Sequence, residues 1–497
     1  MRNLASAPET SQAAGRSVQD YIDECPIWPN GTRLPSAPMT AMQWRIWSLA
    51  AAGKFFEGFV VFMTGVALPL ISHQFGISAA QGGLVSAASL MGILVGAIGL
   101  GGMSDYFGRK RMFIVEMVIF VAFLVLLTLC TNFTSLVICL FGLGVALGCD
   151  YPTAHMIISE SIPSTSRGRL VLGAFGFQAL GALGGTAIGF LVLSMLPTLD
   201  AWRWMYGTAI IPAVIVTVGR FFITESPSWL HVRGSVDLAE EAARRLLVRV
   251  PQYPTNIELS RAVTAHGQGG LQSFLALFRR GNLRATILAS VPWFLQDLGT
   301  YGIGIFTPTI LAVAFGNKPD HVRSVSDLIL NDILAAKGAA LITLLLIIGI
   351  MFAVMLADKV GRIWLQVVGF IGCATGLFIA SLSDGFDGSM KTTLIFAGFM
   401  LFNFMTNLGP NAQTYLLAGE VFPTAIRGSG AGFAAAVGKI GAVATAFLFP
   451  ILLGAIGTRS LLYILVGTSV LGAIVTWLFR IETTGVSLDA IGQASER

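Results

Sequence analysis

Charge is what this sequence has least of. Only 11% of its 497 residues are Asp, Glu, Lys or Arg, 55% are hydrophobic, and the mean hydropathy is +0.76. Soluble domains carry about 25% charged residues, so a soluble globular protein is excluded and an integral membrane protein is indicated. Cysteine is scarce as well. Cys25, Cys130, Cys139, Cys149 and Cys373 show neither CxxC nor Cys/His ligand spacing, and they read as unpaired packing thiols rather than a metal centre or disulfide framework. No nucleophile–base pair, metal motif or cofactor motif is visible, so neither enzymatic activity nor a cofactor is expected. Residues 1–40 lack an apolar signal-peptide core. They carry Glu9, Asp20, Asp23, Glu24 and several prolines, and read as a mostly unstructured tail.

What is present is a series of long apolar runs. A helix crosses the hydrocarbon core with about 20 apolar residues. Twelve runs qualify, at roughly 45–72, 84–104, 112–131, 135–159, 170–194, 204–223, 285–314, 334–357, 363–382, 392–418, 428–454 and 460–480. The 57 glycines suit closely packed membrane helices. The net charge of +5 is not a nucleic-acid footprint, because its distribution follows topology. Arg109, Lys110 and Arg111 follow span 2, Arg167 and Arg169 follow span 4, and Lys359 and Arg362 follow span 8. A further basic set, from Arg233 to Arg280, lies between spans 6 and 7. All fall on one side, which the positive-inside rule makes cytoplasmic, together with both termini. The reading is an all-α membrane protein with a tail at 1–40, a six-helix half at 41–223, a cytoplasmic linker at 224–284, a second half at 285–480 and a tail at 481–497. Within the linker, "DLAEEAARRLLVRV" has i,i+4 Glu–Arg spacing and predicts a surface helix.

Two motifs recur half a chain apart. "GGMSDYFGRKRMF" and "LADKVGRIWLQ" share D-x-x-G-R, at Asp105…Arg109 and Asp358…Arg362. "ESIPSTSRG" and "EVFPTAIRG" share E-x-x-P-[ST]-x-x-R-G, with Glu160 and Arg167 in the first and Glu420 and Arg427 in the second. Repeats at matching places in two sets of six spans indicate transporter architecture, with a site near the midplane between the halves. The glycines allow sharp turns. The arginines can pair with Glu160 and Glu420 at neighbouring helix ends, which predicts a cytoplasmic gate built from these eight charged residues. "GILVG" at 92–96 predicts helix packing within the bundle.

The D…GR loops and "ESPSWLHVRG" resemble the major facilitator superfamily near its sugar-porter branch, which implies two pseudo-symmetric six-helix halves. "GCDYPTAHMIISE", "WFLQDLGTYG" and "NLGPNAQTY…GEVFPTAIRGSGAGFAAAVGKIGA" resemble the phosphate:proton symporter family more closely, from about span 1 to span 12. That resemblance implies a phosphate site lined by Asp150, Tyr151, Gln178, Trp293, Asp297, Tyr301, Asn411 and Lys439. The residues support a shared site independently. Trp293, Asp297 and Tyr301 are spaced i, i+4, i+8 on one helix face. Polar groups at membrane depth must face protein rather than lipid.

Asp297 lies in an apolar run between Arg284 and Lys318. A charge at the bilayer centre costs about 2.5–3.5 kcal/mol on insertion scales, so it predicts function. A carboxyl group removed from water takes up a proton more readily, and a protonated Asp297 becomes a donor to an anion. Asp150 is a second candidate proton carrier, or a polar group repairing the backbone at Pro152. Glu57 is the third. Where the family pattern on span 1 is D-[AG]-Y-D, this chain reads "EGFV", so Glu57 keeps the first acid and Val60 removes the second. Glu57 is read either as a proton carrier or as a packing residue near Lys54. His155 is read as structural, with a proton relay as its alternative. Lys439 fits an anionic cargo, or else neutralises a nearby acid. The expected function is proton-coupled symport of a small anion, inorganic phosphate first. The alternatives are a small organic acid or sugar-like metabolite, and a transporter-like nutrient sensor. The expected partners are solute, protons and the bilayer, with no nucleic acid, and the protein is expected to act as a monomer in the inner (plasma) membrane.

Overall fold

Every regular element among the described residues is a helix, apart from one isolated bridge between Arg16 and Leu259. The computed structural model describes residues 16–25, 34, 37–99, 103–249, 253–254, 256–260, 274–315, 325–423 and 426–483. Within that set the side chains of Asp105, Tyr151 and Asp358 lie outside the description, so the readings of these three residues do too.

Span 1 is Ala41–Phe75. Its first turn is closed by a capping box: Gln43 N–H donates to Thr40 Oγ1 at 3.2 Å and Thr40 N–H to Gln43 Oε1 at 2.7 Å. The Gln43 side-chain amide then donates to the Ser161 carbonyl, fixing the start of span 1 to the end of span 4. Spans 2 to 5 are Ala79–Gly99, Arg109–Thr128, Phe133–Ser161 and Ser164–Met195. Span 6 was expected as one helix but is two, Ala201–Gly207 and Ile210–Phe221. Spans 7, 8 and 9 are Arg280–Phe315, Val325–Val360 and Arg362–Ser381. Span 10 also breaks, into Gly388–Leu408 and Pro410–Glu420, because Gly409 leaves helical geometry (φ −111°, ψ −97°) and Pro410 has no N–H to continue the ladder. Spans 11 and 12 form Arg427–Leu478, two helices joined at Gly457, whose φ of 76° no helix contains. Among the described residues, ten segments have the length and hydropathy of a membrane crossing. The junction at Gly457 and the 36-residue helix Arg280–Phe315 bring the spans to twelve.

The halves meet where span 1 packs on span 7, span 2 on the helix pair 11–12, and span 5 on span 8. Gly92 and Gly96 press span 2 against the Phe141 and Val145 carbonyls of span 4, so the GxxxG pattern is an internal packing seam. All five cysteines are free. The linker stretch forms the helix Val236–Leu246, with Arg245 2.5 Å from Glu241. The tail reading needs correction. Residues Val18–Ile22 form a short helix with Val18, Tyr21 and Ile22 buried, because Tyr21 bonds Glu258 and Arg249 donates to the Ile22 carbonyl at 2.7 Å.

Candidate functional site

Glu57 is the centre of the buried polar cluster between the halves. It is 3% exposed, and two lysines hold its carboxylate: Lys54 Nζ lies 2.7 Å from Oε2 and Lys439 Nζ 3.0 Å from Oε1. Lys54 is one turn away on span 1, whereas Lys439 comes from span 11. Gln178 of span 5 donates to Glu57 Oε1 at 3.2 Å and to Tyr301 Oη at 3.1 Å. Tyr301 of span 7 donates to Glu57 at 3.4 Å and accepts from Lys439, whose ammonium also sits 4.6 Å from the ring centroid. Four spans from both halves thus converge on one carboxylate.

Asp297 is one turn from Tyr301 on span 7, 2% exposed, and among the described residues its Oδ2 has no hydrogen-bond partner. Trp293, one turn further, packs over Gly438, the residue before Lys439. Of the residues expected to share one site, Gln178, Tyr301 and Lys439 are brought together around Glu57, with Asp297 and Trp293 on the same face of span 7. Asn411 lies at the break in span 10 and donates to Asn407 Oδ1 at 2.6 Å, and Asn407 donates to the Leu346 carbonyl. Beyond Trp293, Tyr415 of span 10 stacks on Phe175 of span 5 at 4.6 Å and meets His155 and Trp293 edge-on.

The two repeats form matching ties at the same end of the bundle, where span 2 meets span 3 and span 8 meets span 9. Arg109 pairs with Glu160 at 3.0 Å and Arg362 with Glu420 at 3.2 Å. Each arginine also donates to the carbonyl five residues earlier, Ser104 and Ala357, at 3.0 Å. Gly108 and Gly361, with φ of 102° and 97°, open the following helices in a conformation that favours glycine. Their first-turn N–H groups, which no helix carbonyl accepts, are capped by a second pair of acids. Glu225 accepts from Lys110 N–H, and Glu482 accepts from the N–H groups of Arg362 and Ile363. Ser226 and Thr483, the next residues, donate to Glu160 and Glu420. Glu-Ser at 225–226 and Glu-Thr at 482–483 are therefore a third repeat that the sequence reading missed, although it was visible half a chain apart.

With that symmetry in place, the family model described as "sugar (and other) transporter" matches residues 46–494. The chain belongs to this family. A Schizosaccharomyces pombe protein named "putative inorganic phosphate transporter" is 28% identical, over 91% of this chain and 88% of its own. The inner membrane metabolite transport protein YgcS of Escherichia coli is 27% identical, over 93% and 96%. The inward-open structure of the E. coli xylose transporter XylE superposes with a TM-score of 0.71, at 21% identity, over 91% of this chain and 99% of that one. The fold is the major facilitator fold, and the protein is a transporter of the sugar (and other) transporter family.

Several expected positions in this transporter lie elsewhere. Asp150 does not join the Glu57 cluster. It pairs with Arg220 of span 6 at 2.6 Å, and Arg220 also pairs with Glu116 of span 3 at 3.0 Å, all three buried. The guanidinium further donates to the Phe113 and Leu49 carbonyls and lies 3.4 Å from the Phe113 ring centroid. The reading of Asp150 as a repair for Pro152 is thereby replaced by an ion-pair role. Arg220 and Glu116 were missed, although each is an ionisable residue within an apolar run, the signal that singled out Asp297. Arg167 does not meet Glu160. It donates to Gln19 of the N-terminal helix at 2.8 Å, because that helix covers the start of span 5, where Asp23 accepts from Ser164 N–H at 2.7 Å. Arg427 donates to the Phe422 carbonyl rather than joining the Glu420 tie. Asp332 of span 8 is a further buried acid that the sequence reading passed over, with neither oxygen hydrogen-bonded among the described residues.

Proposed function

We propose that the protein is a proton-coupled symporter of a small anionic solute, with inorganic phosphate the favoured cargo, working by alternating access. The observation that carries this reading is the charge balance of the central cluster. Two lysines face one ionised glutamate, which leaves one unit of positive charge in a buried space. Asp297 neutralises it when ionised. When Asp297 carries a proton, an anion can neutralise it instead, bonded to Lys439, Tyr301 and the Asp297 hydroxyl. Proton and anion then enter together, because each restores the balance that the other disturbs. Burial makes any uncompensated charge costly, so the anion-bound, unprotonated state is disfavoured. The phosphate-transporter name of one relative supports the cargo.

The second reading is a neutral, sugar-like metabolite. The family description and the xylose transporter's fold favour it, as does the Lys439–Glu57 pair, which gives the lysine a partner within the protein. Uptake into proteoliposomes under an imposed pH gradient separates the two. Phosphate is expected to accumulate, and xylose, glucose and small organic acids are not. Accumulation of a neutral sugar with phosphate left at background would replace the first reading with the second.

The cytoplasmic ties are proposed as the inner gate, with the protein a monomer in the inner (plasma) membrane and both termini cytoplasmic. Reversal of Arg109 to Glu, or of Glu160 to Lys, is expected to reduce transport severely with membrane insertion intact. The double reversal should recover part of it. A double variant no better than the worse single one would leave the pair without a gating role.

A further inference from the structure

Two grooves open on the outward face of span 8, and one lysine lines both. The first, about 310 Å³, runs between Leu183, Ala187 and Phe190 of span 5 and Leu344 of span 8. The second, about 410 Å³, is formed by Leu334 and Gly338 of span 8 with Phe396 of span 10. Lys337 and Leu341 border both grooves, and every other lining residue is apolar or glycine. Lys337 is exposed, and among the described residues no carboxylate pairs with it.

Its depth can be read from the helix. About 30 Å of helix lies between Lys337 and Ala357, where the apolar segment ends on the cytoplasmic side. That length matches the hydrocarbon core, so the ammonium sits at the outer boundary of the bilayer, at the level of lipid phosphates. A lone cation on a lipid-facing surface is costly unless it reaches such a partner. One cation at phosphate depth, with an apolar groove on either side, matches the shape of a two-chain lipid with one negatively charged headgroup.

We propose that Lys337 and the two grooves bind one anionic phospholipid, its phosphate on the Lys337 ammonium and one acyl chain in each groove. The first groove is walled by span 5 of one half and span 8 of the other, so the lipid spans the seam along which the halves move. A lipid held there favours the arrangement in which that seam is open to it, which makes transport sensitive to anionic lipid whatever the cargo.

The test uses the purified full-length protein, with dioleoyl phosphatidylglycerol and dioleoyl phosphatidylcholine as probes, read by native mass spectrometry and by titration in nanodiscs. Wild type is expected to retain one phosphatidylglycerol. Lys337→Gln should bind it about fivefold more weakly, the factor contributed by one basic side chain near an anionic surface. Lys337→Arg should keep the affinity, since a guanidinium also pairs with phosphate. Leu341→Trp, which fills the shared wall of both grooves, should weaken binding with the charge intact. A thermal midpoint unchanged from wild type confirms that each variant is folded before it is titrated. Equal phosphatidylglycerol affinity in wild type and Lys337→Gln, or phosphatidylcholine binding as tight as phosphatidylglycerol, overturns the proposal.

Discussion

Asp297→Asn is expected to abolish gradient-driven accumulation while leaving exchange of cargo across the membrane measurable. The asparagine amide preserves shape and can still donate to an anion, but it has no proton to release. One coupled proton sustains about a tenfold concentration ratio per unit of pH gradient, about 1.4 kcal/mol, and the variant should lose all of it. The Oδ2 atom of Asp297 has no partner to break, so the substitution should not cost folding. Lys439→Ala is the contrasting change. It leaves Lys54 as the remaining ion-pair partner of Glu57 and removes the charge available to an anion, so binding itself should fall by roughly tenfold or more, as expected for a charged hydrogen bond. Counterflow and pH-driven uptake, measured side by side at matched protein amounts, distinguish the two. Wild-type accumulation in Asp297→Asn would remove this residue from coupling.

Arg220→Met should be the most destabilising single change among the buried charges. Arg220 has no exposed surface and pairs with both Glu116 and Asp150. Removing one partner of a buried ion pair costs about 3–5 kcal/mol, because the remaining charge keeps its desolvation penalty and loses its compensation. Here two carboxylates are left facing each other. The triple variant Arg220→Met, Glu116→Gln, Asp150→Asn should recover most of the loss, since neutral groups of similar size need no counter-charge. The measurement is the thermal midpoint in detergent. A wild-type midpoint for Arg220→Met, or no recovery in the triple variant, would contradict the account. The triple variant also addresses Asp150 as a proton carrier, because surviving pH-driven uptake would place coupling elsewhere.

The sequence by itself determined the bilayer-crossing segments, the two halves and the repeated loops. Each of these is a local property. A run of apolar residues is long enough to span or it is not, and D-x-x-G-R works at a helix start through its own backbone, as the nearly equal φ of Gly108 and Gly361 shows. The face carrying Trp293, Asp297 and Tyr301 was legible for the same reason, since helical spacing alone puts them in line. What only the tertiary structure decided is which charges meet. Glu57 and Lys439 are 382 positions apart and pair because spans 1 and 11 turn those faces to one another. Asp150, the first residue of the conspicuous "DYP", turns instead to Arg220, and Arg167 turns to Gln19. Hydropathy registers that a charge lies within a span but not the rotation of that span about its axis. A rotation of one residue position, about 100° at 3.6 residues per turn, is enough to move a carboxylate from one cluster to another. That rotation is set by packing between helices distant in sequence, such as Gly53 leaving space for the Asp150 carboxylate on the helix that also carries Glu57.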